Sequence, residues 1–185
     1  SEMCIRDRLN ISDKFAVCHV GRLSYQKNPL RVIDIFEEVL KKDKDAVMIS
    51  VGSGEMDDEV HSYAEQKGLS EKIMFLGKRN DANELLQAAD VFLFPSFYEG
   101  FGIVAIEAQT AGLPCVLSDR VPKDVKVTEN ARFLSLELSD TVWANEILAL
   151  KNFARKSCLN DIIKAGYDRK HPTDDLLELR KYLEE

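Results

Sequence analysis

The sequence predicts an α/β domain built on one doubly wound parallel sheet, and two patterns carry that prediction. Short runs rich in β-branched and aromatic residues alternate with longer stretches of helical period. The short runs are apolar at successive positions, as in parallel strands covered by helices on both faces. At 185 residues, 45% of them hydrophobic and 31% charged, the chain is sized for a single core.

In chain order, SEMCIRDR carries neither an apolar signal core nor a repeating pattern. Residues 1–12 are therefore expected to be a leader or linker remnant outside the fold, with the Rossmann-like domain covering 13–185. FAVCHV (15–20) is the first strand and PLRVIDIFEEVLKK its helix; AVMISV (46–51) is followed by DEVHSYAEQKG. KIMFLG (72–77) precedes ANELLQAA, and DVFLFP (90–95) precedes a helix over about 101–112. PCVLSD (114–119) and the shorter ARFLSL complete the strands before a final set of helices. No apolar run approaches the roughly 18 residues of a membrane span. The formal net charge of −7 argues against nucleic acid or an anionic membrane as partner, while leaving room for a local cationic pocket. Cys4, Cys18, Cys115 and Cys158 lack CxxC spacing, which reads as reduced thiols in a cytoplasmic protein.

Doubly wound sheets bind ligands outside the carboxyl ends of their strands, which directs attention to four loops. The first, GRLSYQKN, offers Gly21, Arg22 and Lys27 before a helix opened by Asn28-Pro29. Arginine gives planar paired donors and lysine a compact charge, a combination suited to a diphosphate; a solvated basic loop is the plain alternative. The loop lacks GxGxxG. In the second, VGSGE, Gly52 and Gly54 are explained equally well by a tight turn. The third, GKRND, places Gly77, Lys78 and Arg79 where a base could lie, with Asp81 as a helix cap.

The fourth loop, PSFYEGFGIVAIE, ends a strand and opens a helix. Backbone N–H groups near Phe101 and Gly102, with the helix dipole, form an anion site. Glu99 should precede that helix and Glu107 lie about two turns inside it. Carboxylates beside a phosphate site are unfavourable unless they accept hydrogen bonds from hydroxyl groups. A nucleotide sugar supplies both sets, with Glu99 on the sugar, Glu107 on the ribose and the diphosphate between.

GRLSYQKN together with DVFLFPSFYEGFGIVAIEAQTAGLPCVLSD, with its Glu-x7-Glu pair, resembles the nucleotide-sugar domain of retaining GT-B glycosyltransferases of the group 1, or family 4, type. The resemblance runs from about residue 13 to the end; FLSLELSDTVWANEILAL resembles bacterial exopolysaccharide and capsule enzymes, and AGYDRKHPTDDLLELRKYL the family's closing helices. It implies one half of a GT-B fold, in which Glu99 contacts the donor sugar, Glu107 the ribose, and Arg22 and Lys27 the diphosphate. Catalytic roles are thus expected for Glu99, Arg22 and Lys27, and donor contacts also at Gly21, Arg79, Gly100, Phe101, Gly102 and Glu107. The implied partner is a nucleotide diphosphate sugar. No cofactor and no metal are implied, since side-chain cations hold the phosphates. The acceptor, a glycan or lipid-linked sugar, would be held by an N-terminal lobe that this length does not accommodate, so the chain is expected to be inactive alone. Any peripheral membrane association would belong to the full enzyme.

Other residues read as structural. His19, within a strand, is expected to be satisfied by backbone groups; His61 and His171 show no metal spacing; Trp143 is a core anchor with Val142, Ile147 and Leu150 at its helical spacing; LRKYLEE is a solvated helix end. Two alternatives stay open: a GT-B sugar-nucleotide epimerase or phosphorylase half-domain, and an α/β binding module without catalysis.

Overall fold

The computed structural model describes residues 2–155 and 158–166. Residues 167–185, which include His171, the acidic end and most of the expected closing-helix stretch, lie outside the described residues.

Six strands form one parallel sheet in the order β3-β2-β1-β4-β5-β6. They are β1 (Ala16–Val20), β2 (Val47–Val51), β3 (Ile73–Phe75), β4 (Val91–Phe94), β5 (Cys115–Ser118) and β6 (Ala131–Leu134). The helices are α1 (Glu2–Arg8), α2 (Pro29–Lys42), α3 (Asp57–Gln66), α4 (Ala82–Ala88), α5 (Ile103–Thr110), α6 (Asp140–Leu148) and α7 (Leu159–Lys164). Every apolar run expected to be a strand is one, trimmed by one or more residues, and the α/β doubly wound class holds.

Alternate residues of each central strand enter two separate cores. Ala16, Cys18, Val20, Ile49, Phe92, Phe94, Cys115 and Leu117 face α4 and α5. Val17, Met48, Val91, Leu93 and Val116 face α2, α3 and α6. That two-sided burial is why the strands read as continuous apolar runs. Trp143 anchors the second core and donates from Nε1 to the Ser135 carbonyl at 3.1 Å, with Ile147 and Leu150 buried beside it. Val142, expected to share that face, is instead exposed.

Residues 1–12 were expected to lie outside the fold, yet residues 2–8 form α1, packed on α4. Ile5 and Ile11 are buried in the first core. Arg6 donates to the carbonyls of Ala88 (2.8 Å) and Ile11 (3.1 Å) and pairs with Asp90 at 3.3 Å. Asp90 in turn accepts from the Ala16 amide at 2.7 Å. No helix among the described residues is long and apolar enough to cross a membrane.

The loops leaving β1, β2 and β3 are laced by backbone bonds: Gly21 N to Val51 O (2.9 Å), Gly52 N to Gly77 O (2.8 Å) and Met56 N to Leu23 O (3.0 Å). Gly52, at φ 128°, lies so close that a Cβ there would stand 1.9 Å from the Gly21 oxygen, and one on Gly54 2.4 Å from that of Leu23. The GxG is thus a loop-packing device, required because two backbones touch.

Candidate functional site

The strand order reverses at β1 and β4, and the crevice at such a reversal is the usual ligand position in doubly wound sheets. The two stretches singled out in the sequence leave from these adjacent strands. Gly21 directly follows β1, and a Cβ there would lie 3.4–3.6 Å from the Lys27 stem, which folds back over it. A 3₁₀ turn (Tyr25–Lys27) leads to Asn28 at φ 56°, a left-handed conformation asparagine tolerates better than most residues. Asn28 Nδ2 donates to Pro95 O at 3.0 Å, and Phe97 N donates to Gln26 O at 2.9 Å. Those two bonds flank Lys27 and fix its loop to the one after β4.

Between them, Lys27 Nζ donates to both carboxylate oxygens of Glu99, each at 2.8 Å. The side chains are 17% and 4% exposed, and Nζ lies 5.0 Å from the Phe94 ring centroid. Gln26 Nε2 makes a long contact of 3.4 Å to Glu99 Oε2. The sequence-derived arrangement sets a diphosphate between the lysine and the acid's sugar; here the two side chains hold each other. Tyr25 stacks on Phe97 at 4.8 Å, and Tyr25 and Tyr98 are exposed at the same rim.

Arg22, 71% exposed, pairs with Glu55 at 3.1 Å. Arg79 donates to Asp81 at 2.7 and 2.8 Å on its own loop, two strands from β1 and outside the Lys27–Glu99 cluster. Asp81 occupies the N-cap position of α4, but its carboxylate serves Arg79 instead of the helix. Arg79 holds that carboxyl below the usual range.

Gly100 borders open space, since a Cβ there would meet no atom within 4 Å. Phe101 is half-buried against the first core. Gly102 caps α5 at φ 77°, and a Cβ would press to 3.3 Å on both Val121 and Val125. With no side chain on its cap, α5 presents its first-turn N–H groups and positive dipole end at the carboxyl edge of the sheet. Glu107 is the fifth residue of α5, about one turn inside it instead of two, and is 4% exposed.

His19 is buried in β1, its Nδ1 3.1 Å from the Leu93 carbonyl, and its Nε2 has no protein partner among the described residues. Burial chiefly, with help from Lys27, lowers its pKa to about 4 against a raising effect of that carbonyl. Burial pushes the Cys18 thiol up to about 12 and Cys115 higher still, so both are inert. Among the described residues no group of three His, Cys, Asp or Glu could hold a metal ion.

Sequence reasoning missed Gln26 and Gln109, and gave Asn28 no role beyond opening a helix. Gln109, wholly buried on α5, donates to Ala105 O and Val125 O and accepts from the amides of Val127 and Thr128 and the Thr128 hydroxyl. A glutamine in a largely apolar helix was the available signal, because a buried amide needs several partners.

Comparison with known proteins matches residues 4–165 to the family of glycosyl transferases group 1. A relative 31% identical over 90% of this chain and 45% of its own length is the UDP-Gal:alpha-D-GlcNAc-diphosphoundecaprenol alpha-1,3-galactosyltransferase of Escherichia coli. The putative glycosyltransferase EpsF of Bacillus subtilis is 29% identical over 91% of this chain and 45% of its own length. Among solved structures, Anabaena HepE in complex with UDP-glucose superposes with a TM-score of 0.76 at 25% identity, covering 98% of this chain and 52% of that one. WaaG, a glycosyltransferase involved in lipopolysaccharide biosynthesis, shares the fold with a TM-score of 0.74 at 23% identity, covering 95% and 50%. The chain therefore spans about half the length of the relatives it matches.

Proposed function

The chain belongs to the group 1 glycosyltransferase family, and from that premise we propose that it forms the donor-binding half of a retaining glycosyltransferase. It would move a sugar from a nucleotide diphosphate sugar to a glycan or lipid-linked acceptor in bacterial surface polysaccharide synthesis, on the cytoplasmic side. The E. coli relative is named for UDP-Gal and a diphosphoundecaprenol acceptor, and the HepE structure holds UDP-glucose. One observation of this chain carries the reading: the Gly21–Lys27 loop and the Glu99–Glu107 stretch meet where the strand order reverses.

In this reading the first turn of α5, with Gly100, Phe101 and Gly102, seats the diphosphate, and Arg22 and Lys27 neutralise it. Glu107 accepts from the ribose hydroxyls and Glu99 from the sugar, while the loop carrying Gly77 and Arg79 borders the base. As the glycosidic bond breaks, negative charge grows on the departing diphosphate. Cations and helix-end N–H groups then stabilise the transition state more than the bound donor. Gly21 contributes by leaving room for the Lys27 stem.

Calorimetry of the protein with a panel of uridine, guanosine and adenosine diphosphate sugars tests this. Hydrogen bonds to a charged group are worth about 1.5–3 kcal/mol, so Glu107→Ala should weaken the best nucleoside diphosphate by roughly ten- to a hundred-fold. A chain that binds none of the panel, or a Glu107→Ala variant that binds as tightly as the parent, would sink the reading.

A further inference from the structure

We propose that the Lys27–Glu99 ion pair is a clasp that makes this site select nucleotide sugars over bare diphosphates; the nucleotide part of the claim rests on the donor-site reading above. Lys27 gives its ammonium to both oxygens of one carboxylate, and neither side chain is more than 17% exposed. For that ammonium to meet a phosphate with full strength, it must leave Glu99. The carboxylate left behind is 4% exposed and, among the described residues, retains only the 3.4 Å contact from Gln26. Removing one partner from a buried pair is unfavourable chiefly because the other charge stays buried without compensation. A bare diphosphate brings no donors to repair that loss. A nucleotide sugar brings hydroxyl groups, which donate to Glu99 as Lys27 turns to the phosphates, so both halves of the opened pair are satisfied together.

The surrounding geometry lets the pair open without disturbing the loops. The bonds from Phe97 N to Gln26 O and from Asn28 Nδ2 to Pro95 O hold the two segments on either side of it. The Lys27 stem lies on Gly21, where no side chain obstructs its sweep, and a Cβ at Gly100 would meet no atom within 4 Å. The clasp is therefore a side-chain event on a fixed frame.

The test is calorimetry with inorganic pyrophosphate, UDP and UDP-glucose on the parent, Glu99→Gln, Lys27→Gln and the double variant. Glu99→Gln should bind pyrophosphate and UDP about ten-fold tighter, the equivalent of about 1.4 kcal/mol, and the preference for UDP-glucose over UDP should fall at least as far. In the Lys27→Gln background the Glu99→Gln gain should shrink to about two-fold or less. Unchanged pyrophosphate affinity in Glu99→Gln overturns the clasp. A gain of equal size without Lys27 does so too, because it would report general repulsion by the carboxylate. Should Lys27→Gln prove unstable, reductive methylation of Lys27 in the parent and Glu99→Gln reads the pair directly: at least about five-fold faster modification of the variant supports it, and equal rates overturn it. A pyrophosphate gain through Lys27, with no uridine, guanosine or adenosine diphosphate or diphosphate sugar binding to either protein, would keep the clasp and retire the nucleotide-sugar assignment.

Discussion

Gln109→Leu should damage this protein through hydrogen bonds alone, since the two side chains are close in volume. Gln109 ties α5 to residues 125–128 by five bonds of 2.7–3.1 Å. The losses are unequal. Ala105 O keeps its helix bond, and Val127 N keeps the Val125 carbonyl at 3.0 Å. The Thr128 amide and hydroxyl both lose the oxygen they donate to, and Thr128 is buried. An orphaned buried group costs about 1–3 kcal/mol, so the sum is about 3 kcal/mol, or roughly 6–12 °C in Tm for a chain of this size. Val125 also braces Gly102, the cap of the candidate anion site. Nucleoside diphosphate affinity should therefore fall along with stability. Urea unfolding and calorimetry with UDP are the measurements. A stability loss below about 1 kcal/mol, or hydrogen exchange at 127 and 128 no faster than in the parent, would refute the claim that this amide holds the segment in place.

Gly52→Ala should cost at least about 3 kcal/mol, because positive φ alone costs about 1–3 kcal/mol and the Cβ would collide with the Gly21 carbonyl; thermal unfolding within about 2 °C of the parent would contradict it. His19 is neutral in the fold down to pH about 4 but would titrate near 6.5 when unfolded. The unfolded state then binds more protons in that window, so this contribution is fully present above pH 6.5 and lost as pH falls toward 4, about 3 kcal/mol in all. His19→Phe should flatten that part of the stability profile, and a parallel profile would place the slope elsewhere. In the proposed reading every candidate group serves the donor, so this chain should bind donor yet show negligible transfer unless an acceptor hydroxyl is also positioned, which can be worth about 7–11 kcal/mol; robust turnover with a radiolabelled donor panel and glycan acceptors would overturn this.

The strands were legible because their residues are apolar on both faces, and the Glu99–Glu107 stretch was legible as a loop leading into a helix because its glycines interrupt the apolar pattern. The α1 helix was not. Ile5 and Ile11 sit among charged residues, and it takes the fold, where both enter the core and Arg6 reaches Ala88 and Asp90, to show why that segment docks. Gly52 and Gly54 were ambiguous because a phosphate loop and a loop pressed on its neighbour both demand a missing Cβ. The Lys27–Glu99 pair was unreadable for a different reason: the residues are 72 apart, and their meeting depends on β1 lying beside β4. Strand order is a tertiary property that the apolar pattern does not encode.

The charges at this sheet edge have a consequence for which groups govern binding. Arg22 pairs with Glu55, Arg79 with Asp81 and Lys27 with Glu99, so each candidate cation already faces a carboxylate. The first two pairs are exposed, so solvent screens them and they yield readily to a competing phosphate. The third is buried, and opening it exposes a carboxylate to an environment with little water. The amino end of α5 differs from all three, because its N–H groups and dipole are fixed in the backbone and Gly102 offers no side chain to cover them. In the proposed reading, an incoming diphosphate gains first from the helix end, then from the easily freed arginine at 22. Lys27 is recruited last, and only by a ligand that gives Glu99 something in exchange.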